Sequence, residues 1–155
     1  MNQKTNSMKI NITKHFLTLG IAALLFSSCS INVLNNLNAN MGVTFEVLKQ
    51  EVYGGREKKA TEVVKSQEQL DKLYKELGSA DAPKIDFEHN NVVAIFMGQK
   101  NTGGYSISIR KISVEDNVTT IAVKYTMPEG MASMALTAPY CIAVIPKTDR
   151  VVVVE

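Results

Sequence analysis

Few residues in this 155-residue chain are of the types that do chemistry, and their spacing narrows what they can do. There are two histidines, His15 and His89, two cysteines, Cys29 and Cys141, and no tryptophan. A Cys141 thiolate activated by His89 would make a nucleophilic pair. Cys141, however, stands inside the apolar run Tyr140–Ile145, where a buried, inert thiol is expected. Asp86, Glu88 and His89 place three ligand atoms within four residues, just before the Asn90-Asn91 turn. They read as solvated loop residues, because a transition-metal site wants further His or Cys. Met127, Met131 and Met134 carry thioethers suited to copper(I). Pro128 and Gly130 break any helix that would hold them on one face, so adaptable packing beneath a long irregular stretch is expected instead. These groups give no catalytic residue, no metal site, no cofactor and no small-molecule substrate.

The remaining candidate is the run Gly98, Gln99, Lys100, Asn101, Thr102, Gly103, Gly104, Tyr105. Gly98 and Gly103 are spaced as in a phosphate loop, but Gly104-Tyr105 stands where Lys and Ser/Thr are needed. The chain then runs into a strand rather than a helix, so phosphate is excluded. Two readings stay open. Adjacent glycines permit a tight reversal, which would make the run a hairpin turn between its flanking strands. The seven residues from Gly98 to Gly104 exceed the roughly two to five of a hairpin loop. The tip is also polar, and its backbone amides lack evident ladder partners, which favours a loop that binds a polypeptide.

The elements that must position this loop are mostly strands. Val43–Leu48 begins with apolar–polar alternation, and Ala60–Val64 is a second short strand. Ser66 opens the clear helix, residues 66–77, as a capping box with Gln69. Its Leu70, Leu73, Tyr74 and Leu77 form one apolar stripe, Glu68–Lys72 and Asp71–Lys75 are i,i+4 pairs, and Gly78 closes it. Val92–Met97 is apolar on both faces and reads as a covered central strand. Tyr105–Ile112 alternates until a shift at Lys111-Ile112 that suggests a bulge. Glu115–Asn117 turns into a strand carrying Ile121, Val123 and Tyr125; Met127–Ala138 is irregular; Tyr140–Ile145 and Val151–Val154 are the last strands. The class is α+β: a mostly antiparallel, curved, sandwich-like sheet with one packed helix.

The first 28 residues hold Lys4, Lys9 and Lys14 and no acid, followed by the apolar run Phe16–Phe26 and small residues. That is the layout of a secretory signal, starting at Met1 or Met8, and the apolar run is short of the roughly 20 residues of a membrane span. Leu25-Phe26-Ser27-Ser28-Cys29 resembles a bacterial lipobox, which implies lipidation of Cys29. Ser30 after the cysteine, by resemblance to envelope sorting rules, implies the outer membrane, facing the periplasm. The expected organisation is a signal over residues 1–28, a lipidated, asparagine-rich tether over 29–42 and one domain over 43–155. Without the signal the chain keeps fourteen bases against fifteen acids, which removes any basis for attraction to nucleic acid. Cys141 is then left without a disulfide partner.

Taken together, Pro83-x-Ile85-Asp86-Phe87, the apolar strand ending at Gly98, Thr102-Gly103-Gly104-Tyr105-Ser106-Ile107 and Thr137-Ala138-Pro139-Tyr140 resemble the C-terminal domain of PrcB-type lipoproteins, over nearly all of residues 44–155. The resemblance implies a lipid-anchored, non-catalytic accessory that supports or stabilises a protease complex, with a protein partner at Gln99–Tyr105. Thr102-Gly103-Gly104-Tyr105 is also similar to the binding loop of chagasin-type inhibitors of cysteine peptidases, a second reading that uses the same loop. A small hydrolase or a metal-binding envelope protein is the further alternative.

Overall fold

The computed structural model describes residues 42–79, 81–130 and 133–155. The signal, Cys29, the tether up to residue 41 and Met131 lie outside the described residues. The elements run β1 (Glu46–Glu51), β2 (Ala60–Val64), α1 (Gln67–Glu76), β3 (Asn90–Phe96), β4 (Ser106–Glu115), β5 (Val118–Thr126), β6 (Tyr140–Pro146) and β7 (Arg150–Val154). A four-stranded sheet has the order β1-β6-β3-β2, and a three-stranded sheet the order β4-β5-β7. The class is α+β, with the helix, the larger sheet and the smaller sheet stacked as three layers. No helix among the described residues is long and apolar enough to cross a membrane.

The two-faced apolar strands dictate this stack. In β3, Val92, Ala94 and Phe96 pack with Tyr140 and Ile142 of β6 beneath Leu70, Leu73 and Tyr74 of α1. The alternate residues Val93, Ile95, Cys141, Ala143 and Ile145 pack against Ile107, Ile112, Ile121 and Val123 of the smaller sheet. Because side chains alternate along a strand, only strands apolar at every position can serve both layers. Each fully buried side chain contributes about 1.5–3 kcal/mol.

Local chemistry sets the boundaries. Ser66 Oγ accepts from the amide of Gln69 at 3.3 Å, but the Gln69 side chain reaches the amide of Lys65, one residue before the cap. At the other end Ser79 N donates to Tyr74 O and Gly78 N to Lys75 O, the paired bonds of a Schellman ending. Glu76 turns outward, to Arg56. Asp116 and Asn117 adopt φ of 48° and 60°, closing the β4–β5 hairpin with the two left-handed residues that strand twist favours. The bulge in β4 falls between Ile109 and Lys111, one residue earlier than the pattern suggests.

One pairing is parallel within the otherwise antiparallel arrangement. β7 pairs with β5 in parallel, from Val118↔Arg150 to Ala122↔Val154, so the smaller sheet is mixed. The chain leaves β5, passes through β6 in the other sheet and returns, and an intervening strand in the opposite layer permits a parallel neighbour. Registers place Glu46, Asn90 and Pro146 at one end of the stack together with the Asp116-Asn117 turn. Glu51, Phe96, Tyr140, Ser106 and Thr126 lie at the other. The chain enters the domain toward the first end, where Val43 N donates to Ile112 O at 2.7 Å.

Candidate functional site

Gly98–Tyr105 lies at the second end, and it is not a hairpin. β3 belongs to one sheet and β4 to the other, so the loop carries the chain between layers, which accounts for its surplus length. Gly98 makes the departure with φ of 78°; a Cβ there would stand 2.9 Å from the amide nitrogen of Lys59. Only glycine satisfies both the left-handed backbone and that approach.

Three of the loop's amides are already engaged. Gln99 N donates to Glu57 O at 2.9 Å, Lys100 N to Thr137 O at 2.7 Å and Gly103 N to Ser133 O at 2.9 Å. Thr137 answers with its own amide to Lys100 O and its hydroxyl to Thr102 O at 3.0 Å. Ala138 N donates to Val52 O and accepts at its carbonyl from Gly55 N, both at 3.0 Å. Segments 52–57, 97–105 and 133–139 are thereby stitched into one platform. For Gln99, Lys100 and Gly103 the expectation of free amides is corrected: non-adjacent loops supply the partners, and no local pattern reveals them.

What the platform presents is side chains. Gln99, Asn101 and Gly104 are exposed, Lys100, Thr102 and Tyr105 half-buried, and Gly98 and Gly103 buried. Lys100 Nζ sits 5.7 Å over the ring of Tyr105. A Cβ on Gly103 would meet Ser133 Oγ at 2.4 Å, and one on Gly104, where φ is 86°, would meet Pro128 Cβ at 2.8 Å. These two glycines serve packing. A cleft of about 160 Å³ opens beside the loop, lined by Gly54, Gly55, Gln99, Leu136 and Thr137 among others.

Met127 and Met134 do not pack beneath this stretch. Met127 is 64 % exposed and Met134 97 %, with Leu136 at 63 % and Tyr53 at 58 %. Among the described residues, every large apolar side chain more than half exposed lies on these loops at this end. Periodicity could not expose them as surface groups, since an irregular stretch has no buried face to count against. The only signal in the chain was Met and Leu in a segment broken by Pro128 and Gly130.

The other candidates fall elsewhere. Cys141 is fully buried between the sheets, and burial pushes its thiol up to about 11. It pairs with Ile95, five ladder positions from the Asn90↔Pro146 pair beside His89, about 17 Å along the strand. The two cannot act as a dyad. At that opposite end Asp86, Glu88 and His89 form an exposed cluster. The Asp86 carboxylate takes His89 Nδ1 at 2.8 Å and the amide of Glu88 at 2.9 Å, and both hold it below the usual carboxylate range, the imidazole most. Lys147 ties this turn down through the carbonyls of Phe87 and His89.

Residues 91–146 match the family model PrcB_C, described as PrcB C-terminal, in agreement with the resemblance carried by the residue pattern. The matched segment runs from β3 to β6 and contains the whole Gly98–Tyr105 loop; β1, β2, α1 and β7 lie outside it. No curated protein and no solved structure matches the chain.

Proposed function

We propose that the protein is a lipid-anchored, non-catalytic accessory subunit that binds a protein of a protease complex through the end of the domain formed by Gln99–Tyr105. The observation that carries this reading is the PrcB C-terminal match, which spans that loop and the segment stitched to it. The geometry is consistent with binding rather than turnover. The loop offers a fixed backbone and exposed polar side chains, and it places no paired nucleophile and base. The lipobox-like Leu25–Cys29 supports acylation at Cys29 and attachment to the outer membrane from the periplasmic side, with residues 29–42 as tether.

Two measurements test it. Cys29→Ser should release the protein from the membrane fraction; partition unchanged from wild type would refute the anchor. Deleting the gene should shorten the lifetime of a secreted protease in the same cells, and restoring the lipidated protein should recover it. A protease pool indifferent to both would refute the accessory role.

A further inference from the structure

We infer that Met134, followed by Met127, is a site of reversible sulfoxidation by peroxide-class oxidants, and that this oxidation leaves the fold intact. The inference goes beyond the binding reading and does not depend on it. Met134 is 97 % exposed and Met127 64 %, whereas Met97, just before Gly98, is 6 % exposed. Thioether oxidation follows exposure of the sulfur, so one chain carries both the reactive sites and a sheltered control.

The backbone presents Met134. Ala135 N donates to Ser133 O at 2.9 Å, which closes a three-residue turn with Met134 at its apex. The same carbonyl accepts from Gly103 N at 2.9 Å, so the turn is tied to the 97–105 segment. Met127 directly follows β5, and its neighbour Pro128 lies against Gly104. Neither methionine belongs to the core beneath the helix or to the core between the sheets, so an added oxygen displaces no packed neighbour. In a buried position the same oxygen would set an unpaired polar group among apolar side chains.

The sulfur lone pair attacks one oxygen of hydrogen peroxide, forming the S–O bond as the O–O bond breaks. The departing hydroxide takes the remaining proton from the sulfur-bound oxygen and leaves as water. Sulfur loses two electrons and the peroxide gains them. Hydrogen peroxide is uncharged, so the mixed charges at this end neither gather nor exclude it; Lys58, Glu57 and Glu129 are exposed there and Lys100 is half-buried. The product adds a polar acceptor without changing the charge, and methionine sulfoxide reductases reverse it.

The test treats full-length protein in detergent with hydrogen peroxide and follows each methionine by peptide mass mapping, in native buffer and in urea. We expect Met134 to oxidise fastest and Met127 next, both roughly tenfold faster than Met97 in native protein, with the three rates converging in urea. The melting curve should not move when Met134 is fully converted, and reductase with dithiothreitol should return it to methionine. Comparable native rates at Met97 and Met134, or a Met134 rate that rises severalfold on unfolding, overturn the inference. A melting temperature lowered at full Met134 conversion, and not lowered in Met134→Leu protein oxidised in parallel, overturns the intact fold. Protein isolated from peroxide-treated cells deleted for methionine sulfoxide reductases should carry sulfoxide at Met134 and none at Met97. Unmodified Met134 in those cells overturns the site.

Discussion

Arg56 holds the 52–57 segment, and with it Tyr53, against the body of the domain. Its guanidinium takes both oxygens of Glu76, at 2.6 and 2.9 Å, and one oxygen of Glu62 at 2.7 Å, while lying 4.5 Å over the ring of Phe96. Partly exposed ion pairs contribute about 0.2–1 kcal/mol each, and the ring contact about 0.5–1 kcal/mol. Arg56→Ala should therefore cost about 2 kcal/mol and lower the Tm by about 8 °C. Arg56→Lys, keeping the charge without the planar fork, should recover less than half. Urea unfolding followed by circular dichroism measures both. The pH dependence gives a second readout. Arg56 holds the Glu76 carboxyl below its usual range, so its contribution is full at neutral pH and is lost as pH falls through that lowered folded value. The gap between wild type and Arg56→Ala should narrow as the pH drops toward about 3. Identical unfolding midpoints at pH 7, or a gap that does not change with acidification, would refute the clasp.

Other outcomes follow from the same packing. Phe96→Ala removes a fully buried ring stacked 5.9 Å from Tyr140 and the surface beneath Arg56; a loss of about 3–5 kcal/mol is expected in urea unfolding. Gly104→Ala meets both positive φ and Pro128, and should cost about 1–3 kcal/mol by the same assay, with no loss meaning that the loop packs otherwise. Cys141, buried with its thiol raised to about 11, should resist Ellman's reagent at pH 8 in native protein and react fully in urea. Rapid native labelling would place it outside the core.

How much of this was legible in the chain depends on the residue. Val92–Met97 and Tyr140–Ile145 announced covered strands because both faces are apolar, and the helix was set by Ser66 and one leucine stripe. The parallel β5–β7 pair was not, since valines in Val151–Val154 carry no direction. At the loop, adjacent glycines suggested a reversal, whereas Gly98 serves a close approach to Lys59 and the segment crosses between sheets. The bonds from Gln99, Lys100 and Gly103 go to carbonyls at Glu57, Thr137 and Ser133, distances in sequence that no local pattern spans. The exposed methionines follow from the same cause: long-range stitching decides which side of an irregular segment faces water.

Under the proposed function the loop end, rather than the turn bearing His89 at the other end, engages a protease complex. Solubilised membranes carrying the tagged full-length protein, Gln99→Arg/Asn101→Arg, or the control His89→Ala/Lys147→Ala can be purified in parallel and assayed for peptidase activity. The substituted side chains are exposed in both variants. Peptidase activity should co-elute with wild type and control, and be lost from the loop variant. Co-elution that survives the loop substitutions, or that disappears only in the control, would contradict the account.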